Sequence, residues 1–241
     1  MREHWRKYPG VSRCDKLISE ENLGRISTSH LMQIDIIVVG ALQVNCYLVA
    51  DRETGSAVII DPGDEPDNIL NRIAQRRYRI DAILLTHAHF DHILGVRGVK
   101  ESLGIPVMMS KADEFLYTGL PEIARQYGFR ADAPPPIDRY LKAGDTVPVG
   151  SQTLAILETP GHSPGGLSFV ASGVPDCIFG GDALFQGSIG RTDLPCASFD
   201  LLCASIRNQL YTRDGHTVVY PGHGPATTIA DEREHNPFVR A

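Results

Sequence analysis

Residues 86–92 read Thr-His-Ala-His-Phe-Asp-His, so three imidazoles and a carboxylate fall within six consecutive positions. They follow residues 80–85, Ile-Asp-Ala-Ile-Leu-Leu, an apolar run with the length and composition of a short buried strand. Alternate side chains of an extended segment point the same way, so His87 and His89 can grip one ion together. A turn into helix over residues 90–96 would swing Asp91 and His92 toward a neighbouring position, and one segment would then serve two ions. Imidazole and carboxylate are the usual ligands of catalytic zinc and related metals. Core packing or an ordinary solvated loop explains such a run poorly.

The rest of the chain supplies a frame for this cluster. Its 241 residues suffice for one large α/β domain or two small ones. Residues 1–31 are polar and weakly periodic, with a helical turn or two over 17–23. They read as an N-terminal extension, either a loose arm or an upstream start before Met32, with His4 and His30 as surface residues. From residue 32 to 241 strands and helices alternate as in one domain. Strands are predicted at 34–39, 44–49, 57–60, 80–85, 105–109, 146–149, 152–157, 167–170, 176–179 and 216–220. Helices are predicted at 67–74, 96–103, 111–117 and 199–210, the last with Phe199, Leu202, Ile206 and Leu210 on one stripe. Residues 119–136 stay undecided, with Pro134-Pro135-Pro136 marking an exposed, extended connection.

Composition removes several classes. A net charge of −6 argues against general nucleic-acid binding, which wants a basic face. No apolar run approaches the length of a membrane span, and no apolar region follows the charged N-terminus as a secretory signal would require. Five cysteines without a C-x-x-C spacing fit reduced thiols in a cytoplasmic protein.

Five polar loops share one pattern: a His or Asp after an apolar strand, flanked by Gly or Pro. They centre on Asp61, the His87 cluster, His162, Asp182 and His223, and they hold five of the nine histidines. The C-terminal end of strands is where open α/β sheets place their ligands. Asp61 reads either as an acceptor behind a ligand imidazole or as a turn residue capping a helix. Arg191 and Asp193 read as a buried structural pair, with substrate contact as the alternative. Cys46 and Cys177 read as small apolar strand residues, and Tyr47 and Tyr117 as core or cleft wall. Glu232, Arg233 and Glu234 read as charges on a C-terminal helix.

The histidine run, with Pro160-Gly161-His162, Gly181-Asp182 and Gly222-His223-Gly224-Pro225, resembles the metallo-β-lactamase superfamily. Within it, residues 187–195, Gly-Ser-Ile-Gly-Arg-Thr-Asp-Leu-Pro, after Gly181-Asp182-Ala183-Leu184-Phe185, resemble the glyoxalase II (hydroxyacylglutathione hydrolase) group, especially its short bacterial members. The resemblance runs from about residue 32 to the C-terminus. It implies a four-layer αββα sandwich of two mixed β-sheets with a two-metal site between them. Carried over by position, His87, His89 and His162 would bind the first metal, Asp91, His92 and His223 the second, and Asp182 would bridge. Asp91, Asp182 and a metal-bridging hydroxide would form the catalytic set, with Asp61 behind the ligands. Mixed nitrogen and oxygen ligands accept zinc, iron or manganese, and two divalent ions per chain are expected, zinc first among the three metals.

The implied activity is hydrolysis of a thioester, a small-molecule glutathione thioester, by a cytoplasmic monomer or homodimer that meets neither nucleic acid nor membrane. The long enzymes of the group carry a helical C-terminal domain that helps grip glutathione, and this chain stops soon after His223, so broader recognition is expected. The alternatives are a persulfide (sulfur) dioxygenase with one iron, which also carries a Gly-Arg-Thr-Asp segment, and another hydrolase of the fold such as a lactonase. A β-lactamase role is disfavoured by the missing export signal. A non-catalytic metal sensor would be marked by a lost ligand, and every expected ligand is in place.

Overall fold

From Val44 to Asp51 every residue is buried, and the side chains divide by parity between two cores. Val44, Cys46, Leu48 and Ala50 pack toward helices, while Tyr47 and Val49 pack toward a second sheet. Residues 57–60 and 82–85 repeat the division, as strands buried on both faces must. A computed structural model describes residues 32–173 and 176–240, so the expectations for residues 1–31 (with His4, His30 and Cys14) lie outside the described residues.

The first sheet takes β1 (Met32–Val39), β2 (Val44–Asp51), β3 (Ser56–Ile60), β4 (Arg79–Leu84), β5 (Val107–Ser110) and β6 (Arg139–Leu141) in that order. It is antiparallel from β1 to β3 and parallel from β3 to β6. The second sheet runs β14 (Thr227–Thr228), β13 (Val218–Pro221), β10 (Cys177–Gly181), β9 (Leu167–Ala171), β8 (Gln152–Glu158), β7 (Thr146–Val149), and only β10 and β13 pair in parallel. A small hairpin, β11 (Leu184–Phe185) with β12 (Ser188–Ile189), follows β10.

The two sheets face each other across an apolar layer that includes Val58, Ile60 and Leu84 from one and Leu154, Phe169 and Phe179 from the other. Each such side chain contributes about 1.5–3 kcal/mol on burial, so this layer, not the polar strand ends, holds the two halves together. Helices α1 (Pro66–Arg76), α2 (Phe90–Ile93), α3 (Val96–Leu103), α4 (Glu114–Thr118) and α5 (Leu120–Gln126) cover the outer face of the first sheet. Helices α6 (Phe199–Ser205) and α7 (Ile229–His235) cover the second. The layers are therefore helix, sheet, sheet, helix, as the αββα expectation states. Among the described residues no helix is long and apolar enough to cross a membrane.

Several local expectations need correction. The helix expected at 199–210 is α-helical only to Ser205 and passes into a π-helical turn, Ile206–Leu210. Leu202, Ile206 and Leu210 are fully buried on it, but Phe199 is 46% exposed and lies off the stripe. The undecided stretch contains α5, which starts with proline in its first turn and buries only Leu120 and Ala124, too few positions to show a period. Pro135 is buried rather than exposed, because its carbonyl accepts the Tyr117 hydroxyl at 2.9 Å. Tyr117 thereby belongs to the core.

One carboxylate ties the halves at the end remote from the histidines. Asp51, at the end of β2, accepts the Ser151 N–H at 2.7 Å, the Glu53 N–H at 3.0 Å and the Thr54 hydroxyl at 2.9 Å. These bonds, that of Ser151 foremost, pull its pKa down to about 2. A carboxyl depressed in the folded state stabilises above its unfolded pKa and loses that contribution as pH falls toward the folded value. The stability gap between wild type and Asp51→Asn, measured by urea unfolding, should therefore be smaller at pH 3 than at pH 7. An equal gap at both would contradict the assignment.

Candidate metal centre

Asp61 follows β3, residues 86–92 follow β4, and His162, Asp182 and His223 follow β8, β10 and β13. Strands β3 and β4 are parallel, as are β10 and β13, and β8 runs with β10 on the far side of antiparallel β9. Parallel direction within each sheet is what delivers all five loops to one edge of the sandwich. The loop 85–89 stays extended, and the chain turns into α2 at Phe90, which separates the His87–His89 pair from Asp91 and His92.

Two triplets of ligand atoms result. His87, His89 and His162 offer atoms within 4.8 Å of one another, and so do Asp91, His92 and His223. His89 Nδ1 and His162 Nε2 are 2.8 Å apart, and His223 Nε2 lies 3.3 Å from Asp91 Oδ2. Asp182 stands between the triplets. Its Oδ2 is 3.5 Å from His162 Nε2 and 3.7 Å from His223 Nε2, and its Oδ1 is 3.5 Å from His92 Nε2. A third grouping, Asp61 with His87 and His92, is also close. There, however, both carboxylate oxygens already accept protein donors, the Thr86 N–H at 2.7 Å on Oδ1 and the Thr86 hydroxyl at 2.6 Å on Oδ2. His92 Nδ1 adds a third bond to Oδ2 at 3.0 Å, so Asp61 acts behind the imidazole rather than as a helix cap.

Whether this set suits a divalent ion can be judged from what it leaves unpaired. Among the described residues, the buried side-chain polar atoms without a partner are His87 Nε2, His92 Nε2 and Asp182 Oδ1. Buried polar atoms without partners are rare and costly, about 1–3 kcal/mol each. His92 Nε2 and Asp182 Oδ1 lie 3.5 Å apart, and divalent ions bound by the two triplets would satisfy all three atoms. The opposite nitrogens are anchored: His87 Nδ1 to the Thr86 hydroxyl at 3.1 Å, His162 Nδ1 to the Arg191 carbonyl at 2.8 Å, and His223 Nδ1 to the Leu42 carbonyl at 3.0 Å. Because the Thr86 hydroxyl donates its proton to Asp61, it is left to accept from His87. Each Nδ1–H is thus donated outward and each Nε2 lone pair faces the centre, the tautomer a metal needs.

Electrostatics divides the imidazoles. Burial, then the neighbouring histidines, pushes His87 well down, and burial with His162 brings His89 to about 3, so both are neutral ligands. Burial also works against a charged His92, but Asp182, Asp91 and Asp61 outweigh it and lift its pKa to about 10. Burial raises the Asp91 carboxyl, yet His92 and His223 hold it well below the ordinary range.

Close approach explains one glycine. A Cβ at Gly222 would collide with Asp182 Oδ1 and stand 2.7 Å from His92 Cε1. Gly222→Ala is expected to lower the metal content per chain while circular dichroism stays that of wild type. Undiminished metal content would show that the Asp182 carboxylate has room to move.

The rim differs from expectation. Arg191 and Asp193 form a bidentate pair at 2.9 and 2.8 Å, but both are about two-thirds exposed (67% and 69%), so the pair is not buried. The two residues lie only two apart in an irregular loop, where spacing says nothing about depth. Tyr127, half exposed, stacks on Phe90 at 4.9 Å, and the Phe185 ring lies 6.4 Å from that of His223. Glu232 lies on the C-terminal helix α7, as expected, but is only 3% exposed; its carboxylate accepts the Gly187 N–H, the Thr227 hydroxyl at 2.6 Å and an Asn236 amide proton at 2.8 Å, fixing the loop between β11 and β12. Tyr47 is buried, with its hydroxyl on the Pro221 carbonyl. Cys46 and Cys177 are buried on strands, as expected.

Comparison with known proteins agrees with this geometry. The family described as the metallo-beta-lactamase superfamily matches residues 39–223. A hydroxyacylglutathione hydrolase, GloC, of Haemophilus influenzae is 37% identical over 217 residues, covering 87% of this chain and 99% of the relative. Among solved structures, the BLEG-1 B3 metallo-beta-lactamase is 36% identical with a TM-score of 0.81, covering 87% of this chain and all of that one. TTHA1623, solved in a di-iron-bound form, is 41% identical with a TM-score of 0.78, covering 85% of this chain and all of that one.

Proposed function

This chain belongs to the metallo-β-lactamase superfamily, and on that premise we propose that it is a two-metal thioester hydrolase of the hydroxyacylglutathione hydrolase type. The observation that carries the proposal is a carboxylate, Asp182, placed between two ligand triplets, with its own Oδ1 and the buried Nε2 atoms of His87 and His92 left without a hydrogen-bond partner. Likeness to GloC along 99% of that relative supports the choice of substrate.

In this reading His87, His89 and His162 would hold one divalent ion and Asp91, His92 and His223 a second, with Asp182 as the ligand shared between them. Such a pair supplies a water deprotonated near neutral pH and a Lewis acid for the scissile carbonyl. The chain's own groups do the rest. Asp61 keeps His92 in one tautomer, and the Arg191 and Leu42 carbonyls do the same for His162 and His223. Asp91 and Asp182 would offset only part of the charge of two dications, which leaves the centre able to receive a thiolate. Leu42, Phe185 and the Phe90–Tyr127 stack offer apolar surface at the rim for the acyl and thiol portions.

The test is an assay of metal-replete protein on S-D-lactoylglutathione. Release of free thiol, abolished by a chelator and restored by zinc, iron or manganese, is the expected result. That TTHA1623 binds iron lends support to a second reading, an iron-dependent persulfide dioxygenase, though that neighbour holds two irons and this reading takes one. Oxygen uptake with glutathione persulfide, at one iron per chain and with no thioester cleaved, would establish that reading and overturn the first. Opening of a β-lactam ring without thioester cleavage would overturn it equally.

A further inference from the structure

Two buried polar residues that belong to neither ligand triplet each fasten a different part of the centre. Asp113 is fully buried where β5 passes into α4. Its Oδ2 accepts the Ala88 N–H at 3.1 Å and the Ser163 hydroxyl at 2.8 Å, and its Oδ1 accepts the Gly165 N–H at 2.5 Å. Ala88 sits between His87 and His89, and Ser163 and Gly165 follow His162. One carboxylate therefore clips together the two loops, from opposite halves of the chain, that carry the first triplet. Nothing it touches belongs to the second triplet.

Asn45, 4% exposed on β2, does the corresponding job for the other side. Its amide donates one proton to the Pro221 carbonyl at 3.0 Å and the other to the Gly224 carbonyl at 2.8 Å, bracketing His223. Its backbone N–H adds a bond to the Gly222 carbonyl at 2.8 Å, and Val44 forms a bridge to His223 itself. Both side-chain amide protons are used, and each on a residue within two of His223. The Tyr47 hydroxyl reinforces the clamp at the Pro221 carbonyl. None of these bonds reaches the His87, His89 and His162 loops.

We propose that Asp113 and Asn45 are positioning residues that address the two metal positions separately, Asp113 the His87–His89–His162 position and Asn45 the Asp91–His92–His223 position. The assignment rests on the two-metal reading given above. Outer partners of metal ligands typically set affinity by about 10–100-fold, which makes a selective loss measurable. A carboxylate suits the first clamp because all three partners are donors, and an amide suits the second because both partners are carbonyls. Exchanging the two functional groups is thus unfavourable on either side.

The test uses Co2+ as the probe. Wild type and variants are titrated while the cobalt absorption bands are recorded, and crystals of each are located by anomalous scattering. Wild type is expected to take two ions. Asn45→Ala should weaken the Asp91–His92–His223 position about 10–100-fold and leave the other unchanged, and Asp113→Ala should do the reverse. Tyr47→Phe and Ser163→Ala remove single bonds from each clamp and should show the same selectivity in smaller degree, which covers the case of an alanine variant that does not fold. A general packing defect would weaken both positions together in every variant. That result, or two unaltered positions in all four variants, overturns the assignment while the two-metal reading stands. A single ion in wild type overturns the two-metal reading and the assignment with it.

Discussion

Replacing Asp182 by alanine is expected to cost at least about 1,000-fold in thioester hydrolysis and to empty both metal positions. Removing an outer partner of a ligand already costs about 10–100-fold, and Asp182 is more than a partner. Its two oxygens face His92 on one side and His162 and His223 on the other, at 3.5 to 3.7 Å. With the carboxylate gone, the two triplets lose the side chain that stands between them, and two bound ions would lose a central counter-charge. The loss corresponds to about 4 kcal/mol of barrier. Asp182→Asn keeps one ligand oxygen and should retain more metal than the alanine variant. Metal analysis beside initial rates checks both statements, and an alanine variant with wild-type activity would mean the bridge is elsewhere.

Asp61→Ala is expected to be the most damaging change outside the ligand set. It strips the Thr86 N–H, the Thr86 hydroxyl and the His92 Nδ1–H of their common acceptor in a site only 1% exposed. At about 1–3 kcal/mol for each stranded donor, a loss of about 3 kcal/mol or more in folding stability follows. Metal affinity at His92 should drop as well, because nothing else selects its tautomer. Asparagine should not rescue. With its oxygen at the Oδ2 place its amide nitrogen would face the Thr86 N–H, donor against donor. Urea unfolding measures the first effect and metal titration the second. An Asp61→Asn protein as stable and as well loaded as wild type would contradict this account of the residue.

How much of the centre could be read from residue letters depends on what kind of atom does the work. The ligands were legible because imidazoles and carboxylates at strand ends, beside Gly or Pro, are chemically conspicuous, and the structure brings every one of them to one edge. The acceptors that orient them were half hidden. Asp61 shows in the sequence, but the carbonyls of Leu42 and Arg191 do not, since every residue carries one and only folding aims it. Asn45 and Asp113 are unmarked in the sequence for a related reason: one is a polar residue inside an apolar strand, the other resembles an ordinary acid at a helix start. Glu232 does lie on a C-terminal helix, but its burial is hidden among neighbouring charges on α7, because one of the donors that bury it, the Gly187 N–H, comes from a loop 45 residues away. The layers themselves were easier. Runs such as 57–60 and 82–85, apolar at successive positions, announce strands covered on both faces.

The central claim is that one chain holds two metal ions about one carboxylate. Anomalous-difference scattering from crystals of metal-replete protein tests it most directly. Two peaks about 3.5–4 Å apart on either side of Asp182 are predicted, one among His87, His89 and His162 and one among Asp91, His92 and His223. A single peak in fully active protein, with the other triplet empty, would contradict it.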